Sequence, residues 1–174
     1  AIEFLREHPR SQAALMIRGA HTVVYGRRVR VLARHLAQML PDGASVLDVG
    51  AGDGLVARLV MDRRPDLTIR GVDVMARSVS QIAVEVFDGR TLPFPDRAFD
   101  AAMMVDVLHH AADPERLFAE MVRVVKHTIV IKDHLVRGVL SQVTLSFMDW
   151  VGNARYGVAL PYAYWTPARW RQAY

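Results

Sequence analysis

Apolar residues over the first forty positions recur at helical spacing, and past Pro41-Asp42-Gly43 they change to short unbroken runs. Between Ala13 and Leu40, the positions Leu15, Val23, Val24, Val29, Leu32, Leu36 and Leu40 predict one or two helices that stop at that turn. Ser45 to Val49 then reads as a buried strand, Leu55 to Asp62 as a helix, and Thr68 to Val72 as a second strand ending at Asp73. Ile82 to Phe87 is a third strand candidate, Leu92 to Asp96 a Pro-rich loop, and Phe99 to Val105 a fourth strand. Pro114 suits a first helical turn, Glu115 to Val125 keeps helical periodicity, and a fifth strand starts at His127. Strands alternating with helices predict an α/β fold: a Rossmann-like, doubly wound, mostly parallel sheet with helices on both faces and ligands at the carboxyl ends of its strands.

Composition narrows this picture. The chain has 174 residues, of which 52% are hydrophobic, enough for one domain with a real core. The absence of cysteine excludes disulfides, thiolate zinc sites and cysteine nucleophiles, and points to a cytoplasmic location. Charged residues and prolines interrupt every apolar stretch, so neither a membrane span nor a signal peptide is expected. The net charge of +4 and pI near 9.8 come from arginines scattered along the whole chain, which reads as solvated faces rather than a nucleic-acid footprint.

The chemistry gathers at "VLDVGAGDG", residues 46–54. A strand running into Gly50, Gly52 and Gly54 and then a helix lets the backbone approach a ligand with no side chain in between. Asp73 ends the next strand about 20 residues on, where a carboxylate accepts both ribose hydroxyls of a nucleoside; a helix N-cap is its competing role. A dinucleotide would call for G-x-G-x-x-G, but the spacing here is G-x-G-x-G, with Asp48 two residues before the first glycine. A carboxylate there repels phosphate and suits a cationic ligand without one. A nicotinamide-dependent oxidoreductase is therefore the disfavoured alternative.

With "GVDV", "FDGRTLPFPDRAFD" and "MMVDVLHHAADPERLFAEMVRVVK", the glycine stretch resembles the class I S-adenosylmethionine-dependent methyltransferases, in particular their type 11 group, over about residues 45 to 126. The resemblance implies S-adenosylmethionine as cofactor and S-adenosylhomocysteine as product. It implies that Gly50, Ala51 and Gly52 line the methionine part with Asp48 near its amino group, and that Asp73 holds the ribose. Val74 and Met75 would flank the adenine, Asp88 would accept from its exocyclic amine with Gly89 close by, and Val105 and Asp106 would close the site. An Asx turn is the competing role for Asp88. It also implies a single domain: an N-terminal helical segment over 1–44, a cofactor core over 45–134, and a substrate-side insertion over 135–174. That last part holds Phe147, Trp150, Tyr162, Tyr164 and Trp165, for which core packing is the alternative. The family's sixth and seventh strands have no counterpart here. The chain also begins at Ala1 and stops inside an aromatic-rich segment, as expected of a sequence trimmed at one or both ends.

Methyl transfer from a sulfonium is an in-line displacement that needs alignment, and for a hydroxyl or carbon acceptor a base. His109, His110 and His134 stand at strand ends. His134, beside Asp133, is the leading base and His110 the second. Asp106, His109, His110 and Asp113 follow no recognised ligand spacing, so no metal is expected. The expected activity is methyl transfer to a small-molecule acceptor, with a catalytically silent cofactor-binding or scaffolding protein as the rival. Oligomeric state is not legible.

Overall fold

The computed structural model describes residues 12–136, 141, 143–146 and 164–173, and the side chains of 12–25 lie outside that description. Helix α1 spans Gln12–Met39, followed by β1 Ser45–Val49, α2 Leu55–Met61, β2 Thr68–Asp73, β3 Val84–Val86 and β4 Phe99–Val105. A 3₁₀ turn, Leu108–His110, leads into α3 Pro114–Val124, β5 Val125–Lys132 and finally α4 Pro167–Ala173.

The five strands lie in the order β3-β2-β1-β4-β5, and every pairing is parallel. The chain moves outward from β1 to β2 and β3, then returns to the other side of β1 for β4. That places the switch point between β1 and β4, where such sheets bind ligands.

Both faces of the sheet are covered, which is why the central strands are nearly all apolar. Strand pleating sends Val46, Ile69, Ala101 and Met103 to one side, where they pack with Ala33, Leu36 and Leu40 of α1 and Ala57 and Val60 of α2. Leu47, Val49, Val72, Ala102 and Met104 face the other side and meet Leu117, Met121 and Val124 of α3. α3 begins because Asp113 caps it, accepting the Arg116 N–H at 3.0 Å, with Pro114 at the first helical position.

The predicted elements are present, with three differences in extent. The N-terminal pattern folds as one helix that runs through Gly19 and Gly26. The third strand is confined to three residues, because β2 offers it only Gly71, Val72 and Asp73 as partners, while Ile82 packs beneath the glycine turn against Gly54 instead of pairing. β5 starts at Val125, two residues early: that residue ends α3 in an extended conformation and pairs directly with Phe99. Thr166 caps α4, its hydroxyl accepting the Arg169 N–H at 3.3 Å. Phe147, Trp150 and Tyr162 lie outside the described residues, as does most of the expected substrate-side insertion.

Candidate active site

β1 carries the deepest polar group of the site. Asp48 shares a face with Val46, is only 4% exposed, and receives no hydrogen bond from any described residue. Burial, reinforced by the charge of Asp73, pushes its carboxyl up to about 7.

The chain then turns over the strand ends, with the Gly50 and Ala51 amides donating to the Val72 carbonyl at 2.8 and 3.0 Å. Gly50 is left-handed at φ 76°, and a Cβ there would lie 2.2 Å from a Val107 methyl. Gly52, also left-handed at φ 59°, faces open space, with nothing within 4 Å of where its Cβ would be. One glycine is thus required by packing; the other leaves a backbone surface bare.

Asp73 is set at the mouth of this turn. Its carboxylate accepts the Gly52 N–H at 2.8 Å and the Met75 N–H at 2.9 Å, and no helix begins there, so the N-cap role is not realised. Val74 follows with 57% exposure and packs close to Gly89. The Asp88 carboxylate accepts the Arg90 and Thr91 N–H groups at 2.8 Å each, which makes the Asx turn; these bonds hold its carboxyl below the ordinary range. Both accepted bonds fall on Oδ1.

Past Val105, Asp106 adopts a left-handed conformation at φ 56° and its N–H donates to the Lys132 carbonyl at 2.8 Å. Its carboxylate meets the Arg28 guanidinium and the Lys132 ammonium, with His134 Nε2 3.5 Å away. The 3₁₀ turn then rotates the two histidines differently. His109 is 2% exposed and its Nδ1 pairs with Asp133, while His110 is half-buried with its ring 4.0 Å from that of His109. Asp133 also accepts the His134 N–H at 2.6 Å and the His109 N–H at 3.3 Å. Burial by itself raises the Asp133 carboxyl, but the bond and charge of His109 with these amides outweigh it and hold the group below its ordinary range. The imidazole that Asp133 orients is therefore that of His109, and the His134 ring turns to Asp106 instead. Tyr164 stacks on His109 at 5.3 Å, whereas Trp165 is buried in the core.

Residues 47–129 match the methyltransferase-domain family. Over this stretch the chain is similar to class I S-adenosylmethionine-dependent methyltransferases. Among the proteins similar to this chain is the ajmaline N-methyltransferase of Rauvolfia serpentina, 30% identical over 53% of this chain and 37% of that one. A phosphatidylethanolamine N-methyltransferase of Cereibacter sphaeroides is 31% identical over 60% of this chain and 57% of its own length. The chain thus spans about a third to rather more than half of these relatives. A solved S-adenosylmethionine-dependent methyltransferase of Thermotoga maritima shares the fold, with a TM-score of 0.60 at 20% identity over 88% of this chain and 75% of that one.

Within the sheet, the structure brings Asp48, the glycine turn, Asp73, Val105 and Asp106 to one end. Sequence reasoning missed Arg28, Lys132 and the His109–Asp133 pair. Lys132 had a signal of sorts, since it ends the strand beside Val105, but Arg28 lies 78 positions from its partner Asp106. Among the described residues no three His, Asp or Glu side chains are grouped to hold a metal ion, and no helix is long and apolar enough to cross a membrane.

Proposed function

We propose that this chain transfers a methyl group from S-adenosylmethionine to a small-molecule acceptor. The observation that carries the reading is the Asp48 carboxylate, buried and without a donor among the described residues, beside an open glycine turn. An anion in that state is costly unless a cation arrives to pair with it, and the cofactor's methionine end is cationic and free of phosphate. The residues fit the rest of the molecule as well. Asp73 keeps acceptor capacity for a ribose beside its two backbone bonds, Val74 and Met75 offer an apolar edge for a purine, and Asp88 retains Oδ2 for an exocyclic amine.

When bound, S-adenosylmethionine supplies an electrophilic methyl on a sulfonium centre. Gly50, Ala51 and Gly52 provide its backbone cradle, and Val105 and Asp106 border the methionine end. His134, turned toward Asp106, takes the proton from a hydroxyl or carbon acceptor, with His110 as the neighbouring second base. An unprotonated amine acceptor needs neither. In the division of the chain that goes with this reading, 1–44 is an N-terminal helical segment, 45–134 the cofactor core and 135–174 the substrate-side insertion.

Calorimetric titration with S-adenosylhomocysteine, with NAD as control, tests the reading. Saturable binding of S-adenosylhomocysteine with no heat from NAD is the expected result; binding of NAD alone overturns it.

A further inference from the structure

A cleft of about 470 Å³ lies between α1 and the end of β5, lined by Arg27, Arg28, Val31, Leu32 and Lys132. Lys132 closes β5 opposite Val105, so the cleft opens directly beside Asp106 and His134. Three cations line it, and Asp106 is the carboxylate that reaches two of them. Arg27 has no carboxylate partner among the described residues.

The charge extends beyond the cleft. α1 holds Arg18, Arg27, Arg28, Arg30 and Arg34 and not one Asp or Glu in its 28 residues. Arg27 and Arg30, and Arg30 and Arg34, stand at spacings where like charges repel along a helix. That repulsion weakens the free helix and is relieved by an anion.

We infer that this cleft is an anion site that holds a carboxylate or phosphate group of the methyl acceptor, with the acceptor's apolar body against Val31 and Leu32. The inference rests on the methyltransferase reading for the word acceptor, but not for the anion. Arginine forks match the paired oxygens of carboxylate and phosphate, and an apolar wall beside them selects an amphipathic molecule over a free inorganic ion. The cofactor brings a carboxylate of its own, but one such group needs little more than the roughly 30 Å³ of a water molecule. The cleft has room for a charged group and the body attached to it. Anchoring there puts the rest of the acceptor beside Asp106 and His134, where the base of the proposed reaction stands.

Phenyl phosphate, phenylacetate and neutral 2-phenylethanol are titrated into the chain saturated with S-adenosylhomocysteine, at low and at high salt. The two anions are expected to bind at least about tenfold more tightly than the alcohol, and less tightly as salt rises. Arg27→Glu is expected to remove about tenfold of that preference while S-adenosylhomocysteine affinity and the circular-dichroism spectrum stay unchanged; Arg27→Gln should fall in between. Equal binding of all three probes, anion binding indifferent to Arg27→Glu, or anion binding seen only in the chain free of S-adenosylhomocysteine each overturns the inference. Anion binding that depends on Arg27 in a chain that does not bind S-adenosylhomocysteine upholds the anion site and overturns the methyltransferase reading instead.

Discussion

Asp48 sits where burial and function pull in opposite directions. Its folded value near 7 lies above the ordinary carboxyl value near 4, so the folded chain holds this proton more tightly than the unfolded chain does. The stabilisation is fully present below about pH 4 and is lost as pH rises through 7, at most about 4 kcal/mol across that window. A cationic ligand favours the ionised form. S-adenosylhomocysteine affinity, measured by calorimetry from pH 5.5 to 8.5, should therefore rise with pH and level off above 7. Asp48→Asn should flatten that profile and raise the ligand-free melting temperature at pH 8; a variant that keeps the wild-type slope places the titration elsewhere. The glycines separate just as clearly. Gly50→Ala drives a Cβ into Val107 and should unfold much of the protein, whereas Gly52→Ala meets only the cost of its left-handed backbone, about 1 kcal/mol. Circular dichroism and cofactor titration together should show Gly52→Ala folded but weak in binding.

At the level of elements, two side chains tie loops to the sheet that carries the site. The Arg123 guanidinium on α3 donates to the Phe94 carbonyl at 2.8 Å and the Leu92 carbonyl at 3.1 Å, and pairs with Glu120 and Asp96. Glu120 in turn accepts the Leu92 N–H at 2.9 Å, so the loop after Asp88 is fastened from both its donor and its acceptor side. Arg123→Ala leaves those carbonyls and Glu120 without their partner. It should cost about 1 to 3 kcal/mol in denaturant unfolding and speed hydrogen exchange at the Leu92 amide. Unchanged exchange there would assign the loop's order to Phe94 packing on Phe99 instead. The second tie is His109–Asp133, which joins the turn after β4 to the end of β5. Because Asp133 is held below its ordinary value, its contribution is present at neutral pH and is lost as pH falls through the folded value.

Across the whole molecule, the sheet is a gradient of protection. β1 and β4 are paired on both sides and buried on both faces, while β3 is a three-residue edge. Native-state hydrogen exchange should be slowest in β1 and β4 and fastest in β3. Added S-adenosylhomocysteine should slow exchange chiefly at the carboxyl ends of β1, β2 and β4, including the Gly52 and Met75 amides that already donate to Asp73. Protection spread evenly over the sheet would point to global stabilisation without a site at the strand ends.

Much of this was legible in the chain itself, because it depends on neighbours in sequence. Unbroken apolar runs mark strands buried on both faces, glycine spacing marks a turn that a ligand can approach, and so Ser45–Val49, Phe99–Val105 and the carboxylates after each strand could be read directly. Asp88 displays its Asx turn for the same local reason. What the tertiary structure alone decided concerns partners brought together by register and by rotation. The 3₁₀ turn points His109 inward and leaves His110 half-buried, so the Asp133 carboxylate pairs with the imidazole of a histidine 24 positions away and takes only the backbone N–H of its neighbour. The β4–β5 register sets Lys132 beside Val105, and the packing of α1 on the sheet brings Arg28 to Asp106 across 78 residues. No local pattern encodes those distances, because they depend on how strands line up and how a helix face is turned once the core closes.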